Sequence, residues 1–537
     1  MMPNSSTALK MPPDHPALQV LPGGEESRDF QRQMGQISRQ SSVFFAGTIF
    51  TAAAGYLFKV YLARVLGAEA LGIYALGMTI VGLIGIFHAL GLPQSAVRFV
   101  AAYAATGKLD LLRGFLGRSI GLLLISNILL GGFVLLAGPW IGVHFYHSPA
   151  LPTYLGWFAF IMVLGALNGF LGQVLAGYKD IARRTLITNF IGSPAMMILT
   201  LGLVAGGMGL RGYLIAQVLS AAVVVLLLAA AVWKLTPRAA RSFASGLPPL
   251  EKEVVSFSAV ILATGILEFL MAQADKILIG FYLGARDVGI YAVATTLVTF
   301  VPILLQSVNQ IFSPSIADLY ARGQPELLGR IFQTLTKWIL GLTIPLAAVM
   351  ILFAPSLMRI FGRDFEAGWP ILIIGTLGQL VNCGVGSVGY LLLMSGNQRC
   401  LMKIEAVMAA LMVLMNLLLI PRWGITGAAV AAAITNVAGN AWYLVEVRRR
   451  LGLSPYSRSY LRLALPLGGT FAVLLGLRLA LGTVRQEWAM VGAALVLGYL
   501  TFIAIAFGFG LDADDQLIAR AVWARVSGPF RRSEVNA

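Results

Sequence analysis

The sequence predicts an all-α polytopic membrane protein: fourteen transmembrane helices, two parallel-repeat six-helix lobes around a central cavity, and an appended C-terminal helix pair. Three observations predict it. Of the 537 residues, 58% are hydrophobic and 12% charged, with a mean hydropathy of +0.82, whereas charged residues alone make up about 25% of an ordinary soluble domain. Apolar runs long enough to cross a bilayer core, roughly 20 residues each, recur fourteen times. Finally, the segment from Lys59 to Phe115 returns 217 residues later as Lys276 to Phe332.

In chain order, residues 1–40 come first, with Pro3, Pro12, Pro13, Pro16 and Pro22 among polar neighbours; they read as a disordered cytoplasmic tail. No apolar signal-peptide core precedes the first run. The fourteen runs lie near 41–63, 70–90, 115–137, 154–177, 185–206, 212–233, 254–283, 288–311, 330–354, 368–394, 401–420, 424–446, 459–481 and 488–508. Lipid offers no partners to backbone polar groups, so only helices or closed barrels cross it, and these runs are too long and continuous for barrel strands. Basic residues orient them. With the N-terminus in the cytoplasm, the tails and alternate loops on that side hold 29 Lys and Arg, the opposite side holds 8, and Lys59 and Lys276 lie within helices. That bias is the positive-inside signature, and it places both termini in the cytoplasm. The net charge of +16 is spread over these loops rather than gathered into a patch, which argues against nucleic acid and for contact with anionic membrane lipids.

The two copies match without a gap through Leu66-Gly67-Ala68 and Leu283-Gly284-Ala285, Gly72-Ile73-Tyr74-Ala75 and Gly289-Ile290-Tyr291-Ala292, and Tyr103 and Tyr320. Six spans per copy is an even number, so both copies insert in the same direction as parallel repeats, and transporters place their substrate path between such repeats. The chain then divides into an N-lobe (41–233), a cytoplasmic linker (234–253) containing Pro237, Pro248 and Pro249, a C-lobe (254–446), spans thirteen and fourteen (447–508), and a cytoplasmic tail (509–537). Beyond the second span pair the match weakens: Gly177, ahead of Lys179, lines up with Gly396, ahead of Arg399, and Gly212 lines up with Gly427. The segment Pro93–Gly107 suits a helix end at the membrane interface, and Asp512–Arg532 an interfacial helix.

An ionisable group inside a span costs about 2.5–3.5 kcal/mol on insertion scales, so each one needs an explanation. The first span places Thr48, Ala52, Gly55 and Lys59 on one helical face; the seventh does the same with Thr264, Glu268, Met271 and Asp275, with Lys276 next to it. Because Lys59 and Lys276 are equivalent in the repeat, a pseudo-two-fold axis sets their ammonium groups on opposite walls of one cavity, where a diphosphate is the natural ligand. Two plainer readings stand beside this: both lysines snorkel to the headgroups, or Asp275 neutralises Lys276. Glu268, near mid-membrane, is a candidate ion-coupling carboxyl, since a carboxyl in a poorly hydrated site can take up and release a proton; Asp275 is the second. Polar groups such as Asn168, Gln306, Gln379, Asn436 and Asn440 bond either to sugars or between helices.

The matched segments also carry a resemblance. Leu66-Gly67-Ala68-Glu69-Ala70-Leu71-Gly72-Ile73-Tyr74 and Gly91-Leu92-Pro93-Gln94-Ser95-Ala96-Val97-Arg98-Phe99 resemble the N-terminal region of bacterial polysaccharide flippases. Ala274-Asp275-Lys276-Ile277-Leu278-Ile279-Gly280, with Val288-Gly289-Ile290-Tyr291-Ala292, resembles the start of their second lobe. This is the polysaccharide-transporter branch of the multidrug/oligosaccharidyl-lipid/polysaccharide (MOP) exporter superfamily. The resemblance implies two V-shaped lobes around a central cavity in the bacterial inner membrane. It implies a polyprenyl-diphosphate-linked oligosaccharide as substrate, moved from the cytoplasmic to the periplasmic leaflet, with a glycan polymerase and glycosyltransferases as pathway partners.

An ion-coupled multidrug or cation exporter of the same superfamily is the alternative, and it calls for an acidic, aromatic-lined cavity. An enzyme is not expected: loops are short and carry no catalytic cluster, and no phosphate-binding Gly-rich Lys-Ser/Thr motif occurs. Nor is a cofactor or metal expected. His144 and His147 lack a third ligand nearby, and Cys383 and Cys400 suit neither a disulfide nor a metal site.

Overall fold

A computed structural model describes residues 24–241, 248–456, 458–481 and 487–508. Side chains are described from residue 54 onward within these ranges, except at 85, 86, 88, 260, 263, 264, 266–268, 311, 458, 459, 461 and 481. Seventeen α-helices follow one another, joined by short π and 3-10 turns, and no strand occurs among the described residues. They are α1 (Gly24–Ala89), α2 (Leu92–Ala105), α3 (Leu109–Trp140), α4 (Leu155–Gly177), α5 (Ile181–Thr185), α6 (Ser193–Leu203), α7 (Gly209–Leu235), α8 (Lys252–Tyr282) and α9 (Ala285–Val298). Then come α10 (Ile303–Ala321), α11 (Pro325–Leu352), α12 (Ala354–Arg359), α13 (Trp369–Val385), α14 (Val388–Met394), α15 (Gln398–Leu451), α16 (Ala464–Leu481) and α17 (Glu487–Gly508). Among the described residues, eight helical stretches are long and apolar enough to cross a membrane, or nine if α9 and α10, bent by 53°, form one crossing.

The long helices turn back on themselves at glycine, and these turns reveal the duplication. α1 breaks at Gly67 (φ 77°, ψ 175°), and 217 residues later the chain breaks between α8 and α9 at Gly284 (φ 102°, ψ −177°). Ahead of α7, Gly209 adopts φ 52°, ψ −135°, and 215 residues on, inside α15, Gly424 adopts φ 58°, ψ −141°. Positive φ with extended ψ is open to glycine alone, so the two halves bend at equivalent residues for one steric reason. A third pair corrects the alignment of Gly177 with Gly396. It is Lys179 (φ 62°) that shares the left-handed turn of Gly396 (φ 80°), and the N–H groups of Asp180 and Asn397 close the same bond to Leu175 and Leu392, each 2.9 Å.

The halves differ at their second crossing. In the first half the break falls at Leu90-Gly91, before α2; in the second it falls at Thr299–Pro302, before α10. Past these breaks the turns at Gly107 and Gly323 stand 216 residues apart, one out of register with the ungapped match. α2 is also no surface helix: Leu92, Ala96, Phe99, Val100 and Tyr103 recur at helical spacing, are buried, and pack with α3, α4 and the start of α8. Within the segment read as an N-terminal tail, α1 already runs from Gly24, two residues past Pro22, while residues 1–23 and the tail 509–537 lie outside the described residues.

Two end-on clusters hold each half together away from the Gly67/Gly284 end, around Phe115 and Phe170 in one and Phe332 and Leu391 in the other. A third, larger cluster spans both halves at the Gly67/Gly284 end, joining Leu76 and Phe158 to Ile290, Tyr291 and Phe361. Lipid tails compete with apolar side chains, so this association rests on close packing rather than on water exclusion. Small residues accordingly sit where backbones meet: a side chain on Gly378 of α13 would press on Ala433 of α15.

Candidate functional site

A cavity of about 490 Å³ opens inside the second half, walled by α8, α9, α13 and α15 and by the break between α9 and α10. Its apolar wall includes Met271, Val298, Ile371, Met408 and Met412. Asp275 is the charged group on that wall, and Tyr291, Thr295, Gln306, Gln379, Asn436, Asn440 and Tyr443 supply polar groups. α15 places Thr435, Asn436, Gly439, Asn440 and Tyr443 on one face, a polar file about 12 Å long at 1.5 Å per residue.

Asp275 is 8% exposed, and its carboxylate is heavily partnered. Oδ1 accepts the backbone N–H of Lys276 at 2.7 Å, and the Tyr291 hydroxyl donates to the same side chain. Burying a carboxylate costs several kcal/mol unless donors surround it, and the α9 tyrosine is one such donor.

The other residues singled out in the sequence fall in different places. Lys276 is half-buried and donates from its ammonium to Gln273 Oε1 at 2.9 Å, while its charge also bears on the neighbouring Asp275 carboxylate. Lys59 is exposed on α1 and lies close enough to Lys276 to feel its charge. Neither of the two equivalent lysines lines the cavity in the second half. The cavity with the carboxylate lies within one half, so the carboxylate and the two lysines do not share it. Glu268 belongs to α8, with its side chain outside the described residues. Cys383 is buried and Cys400 partly so, and no cluster of three metal-ligating side chains occurs among the described residues.

Gln306, Gln379, Asn436 and Asn440 were legible as polar groups in spans but not as one site, and Tyr291 only as part of the repeat. The missing signal was a comparison of the copies: where the second has Asp275, Ala432, Asn436 and Asn440, the first has Phe58, Gln217, Ala221 and Val225 at 217- and 215-residue spacings.

A duplicated helical bundle that bends at paired glycines and holds a carboxylate in an intramembrane cavity defines a class: polytopic transporters of the MOP superfamily fold. The chain belongs to the family described as "Polysaccharide biosynthesis protein", which matches residues 37–319, more than half of its length, and the family described as "MatE" matches residues 261–422. It is 22% identical over 403 residues to an uncharacterized membrane protein of Methanocaldococcus jannaschii, covering 72% of this chain and 78% of that one. It is 30% identical over 138 residues to the teichuronic acid biosynthesis protein TuaB of Bacillus subtilis, 24% of this chain and 28% of the relative. In fold it is similar to the lipid II flippase MurJ in an inward closed conformation, with a TM-score of 0.70 at 14% identity over 87% of this chain and 98% of that one. It is also similar to a multidrug resistance MATE family transporter of the MOP superfamily in an inward-facing conformation, with a TM-score of 0.58 at 16% identity over 74% and 94% of the two chains.

Proposed function

We propose that the protein is a flippase for polyprenyl-diphosphate-linked oligosaccharide in cell-surface polysaccharide biosynthesis, working by alternating access of two six-helix lobes across fourteen crossings. Both termini face the cytoplasm of a bacterial inner membrane, in keeping with the 29-to-8 distribution of basic residues. The Gly67/Gly284 end then faces outward. The reading is supported by the match of residues 37–319 to the polysaccharide biosynthesis family and, within that match, by Lys59 and Lys276 as equivalent residues of the two halves. Two ammonium groups facing one cavity favour an anion between them, and a diphosphate answers both. The sugars occupy the central cavity between the lobes while the polyprenyl chain stays in lipid.

The cavity in the second half supplies the coupling. Asp275 binds the driving proton or cation there, with Tyr291 as its hydrogen-bonding partner and Asn436 and Asn440 as the polar path beneath it; Glu268 is the second coupling candidate. The glycan polymerase and glycosyltransferases of the same pathway are the partners that consume and supply the substrate. The test is glycan export by Lys59→Gln and Lys276→Gln variants in cells deleted for the native gene. Each single change is expected to cut export several-fold and the pair to abolish it. Parental export by the double variant contradicts the role of the lysines.

One observation favours a second reading. The cavity around Asp275 is acidic and carries Tyr291, Tyr443 and three methionines, which suits an organic cation, and drug susceptibility separates this multidrug-exporter reading from the first. The flippase reading predicts no change in susceptibility on deletion, and the exporter reading predicts sensitisation to lipophilic cations.

A further inference from the structure

The outward-facing seam between the halves is built twice, and among the described residues only one copy is braced. At its centre the packing is reciprocal. A Cβ on Gly72 would overlap the carbonyl of Ala285, and a Cβ on Gly289 would overlap the carbonyl of Ala68; each glycine is the repeat partner of the other, and so is each alanine. Flanking this centre, the end of each half's first crossing clasps the outer turn of the other half. On one side Phe281 packs on Phe145, with ring centroids 4.7 Å apart. On the other side the equivalent residue is Arg64, whose Nε donates to the Ile360 carbonyl at 2.8 Å. Phe145 sits in the turn after α3, and Ile360 directly follows α12.

The unduplicated pair α16–α17 meets the molecule at the Arg64 clasp. Trp488 lies under the Arg64 guanidinium, 5.9 Å from atom to ring centroid. Glu487 pairs with Arg359 at 3.0 Å, and Arg359 also pairs with Glu366 at 3.3 Å, so one arginine ties the start of α17 to both ends of the turn that presents Ile360. Arg478 of α16 donates to the carbonyl of Leu352 at the end of α11. These groups are partly buried: Arg359 and Glu487 are 34% and 18% exposed, so the pair is less screened than a surface bridge.

We propose that α16–α17 acts as a latch on the outer seam: it fixes the 354–368 turn so that Ile360 receives Arg64, and outward opening requires Arg64 to leave both Ile360 and Trp488. Arg359 and Glu487 are positioning residues for that clasp. The proposal rests on the alternating-access reading, but it sets the seam's opening equilibrium and not the identity of the cargo. Among the described residues, the two neutral aromatic partners on the opposite side carry no such brace, so the latched edge is the one that controls release.

The experiment is labelling of Ala68→Cys, a buried seam position, by a membrane-impermeant maleimide added outside intact cells that hold the full chain. Labelling reports opening whether or not the substrate is known, so it separates a failed latch from a failed flippase assignment. The parent is expected to label slowly. Glu487→Gln and Trp488→Ala should each raise the rate at least about threefold, and Arg64→Gln further, as expected when a minor open state gains population. Gly289→Ala is the positive control, since its methyl group meets the Ala68 carbonyl. Trp488 has an exposed ring and its removal spares the core, so a folding defect in Glu487→Gln leaves the test intact. Labelling of the Trp488→Ala variant at the parental rate, with Gly289→Ala labelled fast, overturns the latch.

Discussion

The two halves bend at the same glycines, yet the spaces behind Tyr74 and Tyr291, equivalent tyrosines, have opposite character. In the first half Phe58 is buried, stacks on Tyr61 and meets Tyr213, with ring centroids 6.3 Å apart in each pair. Gln217 donates to the hydroxyls of Tyr74 and Tyr213 at 2.8 and 3.2 Å. In the second half the equivalents of Phe58, Tyr213 and Gln217 are Asp275, Ala428 and Ala432, and the space is a cavity of about 490 Å³ with a carboxylate on its wall. Three changes on one duplicated frame, each from a larger side chain to a smaller one, separate a packed lobe from a lobe with a cavity. Duplication supplies the architecture; divergence at a few facing positions supplies the chemistry.

The largest expected effect comes from making the second half like the first. Asp275→Phe with Ala432→Gln should fill the cavity and lower glycan export by about a hundredfold or more, because an intramembrane ionisable group is lost with its site; membrane expression checks that the chain still folds. Next, the Lys59→Gln/Lys276→Gln pair should weaken export at least about tenfold more than either single change, the non-additivity expected of groups sharing one ligand. Making the first half like the second is milder. Phe58→Ala leaves a void whose cavity term is about 2 kcal/mol, read as a lower midpoint in detergent unfolding, and it creates no second coupling site, so the ion stoichiometry of transport stays unchanged.

Smallest is the effect of the contact between Arg98 on α2 and Glu253 on α8, 2.5 Å apart and more than half exposed on each side. It belongs to a row with the Ser95–Ser258 hydrogen bond and the bond from the Tyr103 hydroxyl to Glu251, and burial together with Glu251 pushes the Tyr103 hydroxyl up from its ordinary pKa. Exposed pairs contribute about 0–1 kcal/mol, so Arg98→Gln should leave export within about twofold of the parent.

How far the sequence could be read depended on what each feature needs. The helical class, the duplication and the place of the bends were legible, because hydrophobicity, repeat and glycine are local properties: Gly67 and Gly284 announce themselves in matching Leu-Gly-Ala runs. The equivalence of Lys59 and Lys276 was legible as well, since it follows from the repeat. What the sequence hid is where symmetry fails. Composition does not distinguish a break at Leu90-Gly91 from one at Thr299–Pro302, nor does it show the one-residue offset between the turns at Gly107 and Gly323. The cavity was hidden for the same reason: Ala432 looks like any small residue in a span until it is set against Gln217, and Tyr291 gains its role only when α9 packs its hydroxyl onto Asp275. α2, read as interfacial, buries Phe99 and Tyr103 against neighbours that no local pattern reveals.

The most direct measurement is movement of a lipid-linked oligosaccharide in proteoliposomes bearing an imposed ion gradient, comparing the parent chain with Asp275→Asn. Gradient-driven movement should disappear in the variant while slow equilibration down the glycolipid's own gradient persists. Movement by Asp275→Asn that responds to the ion gradient as the parent does would contradict the assignment of the second-half cavity as the coupling site.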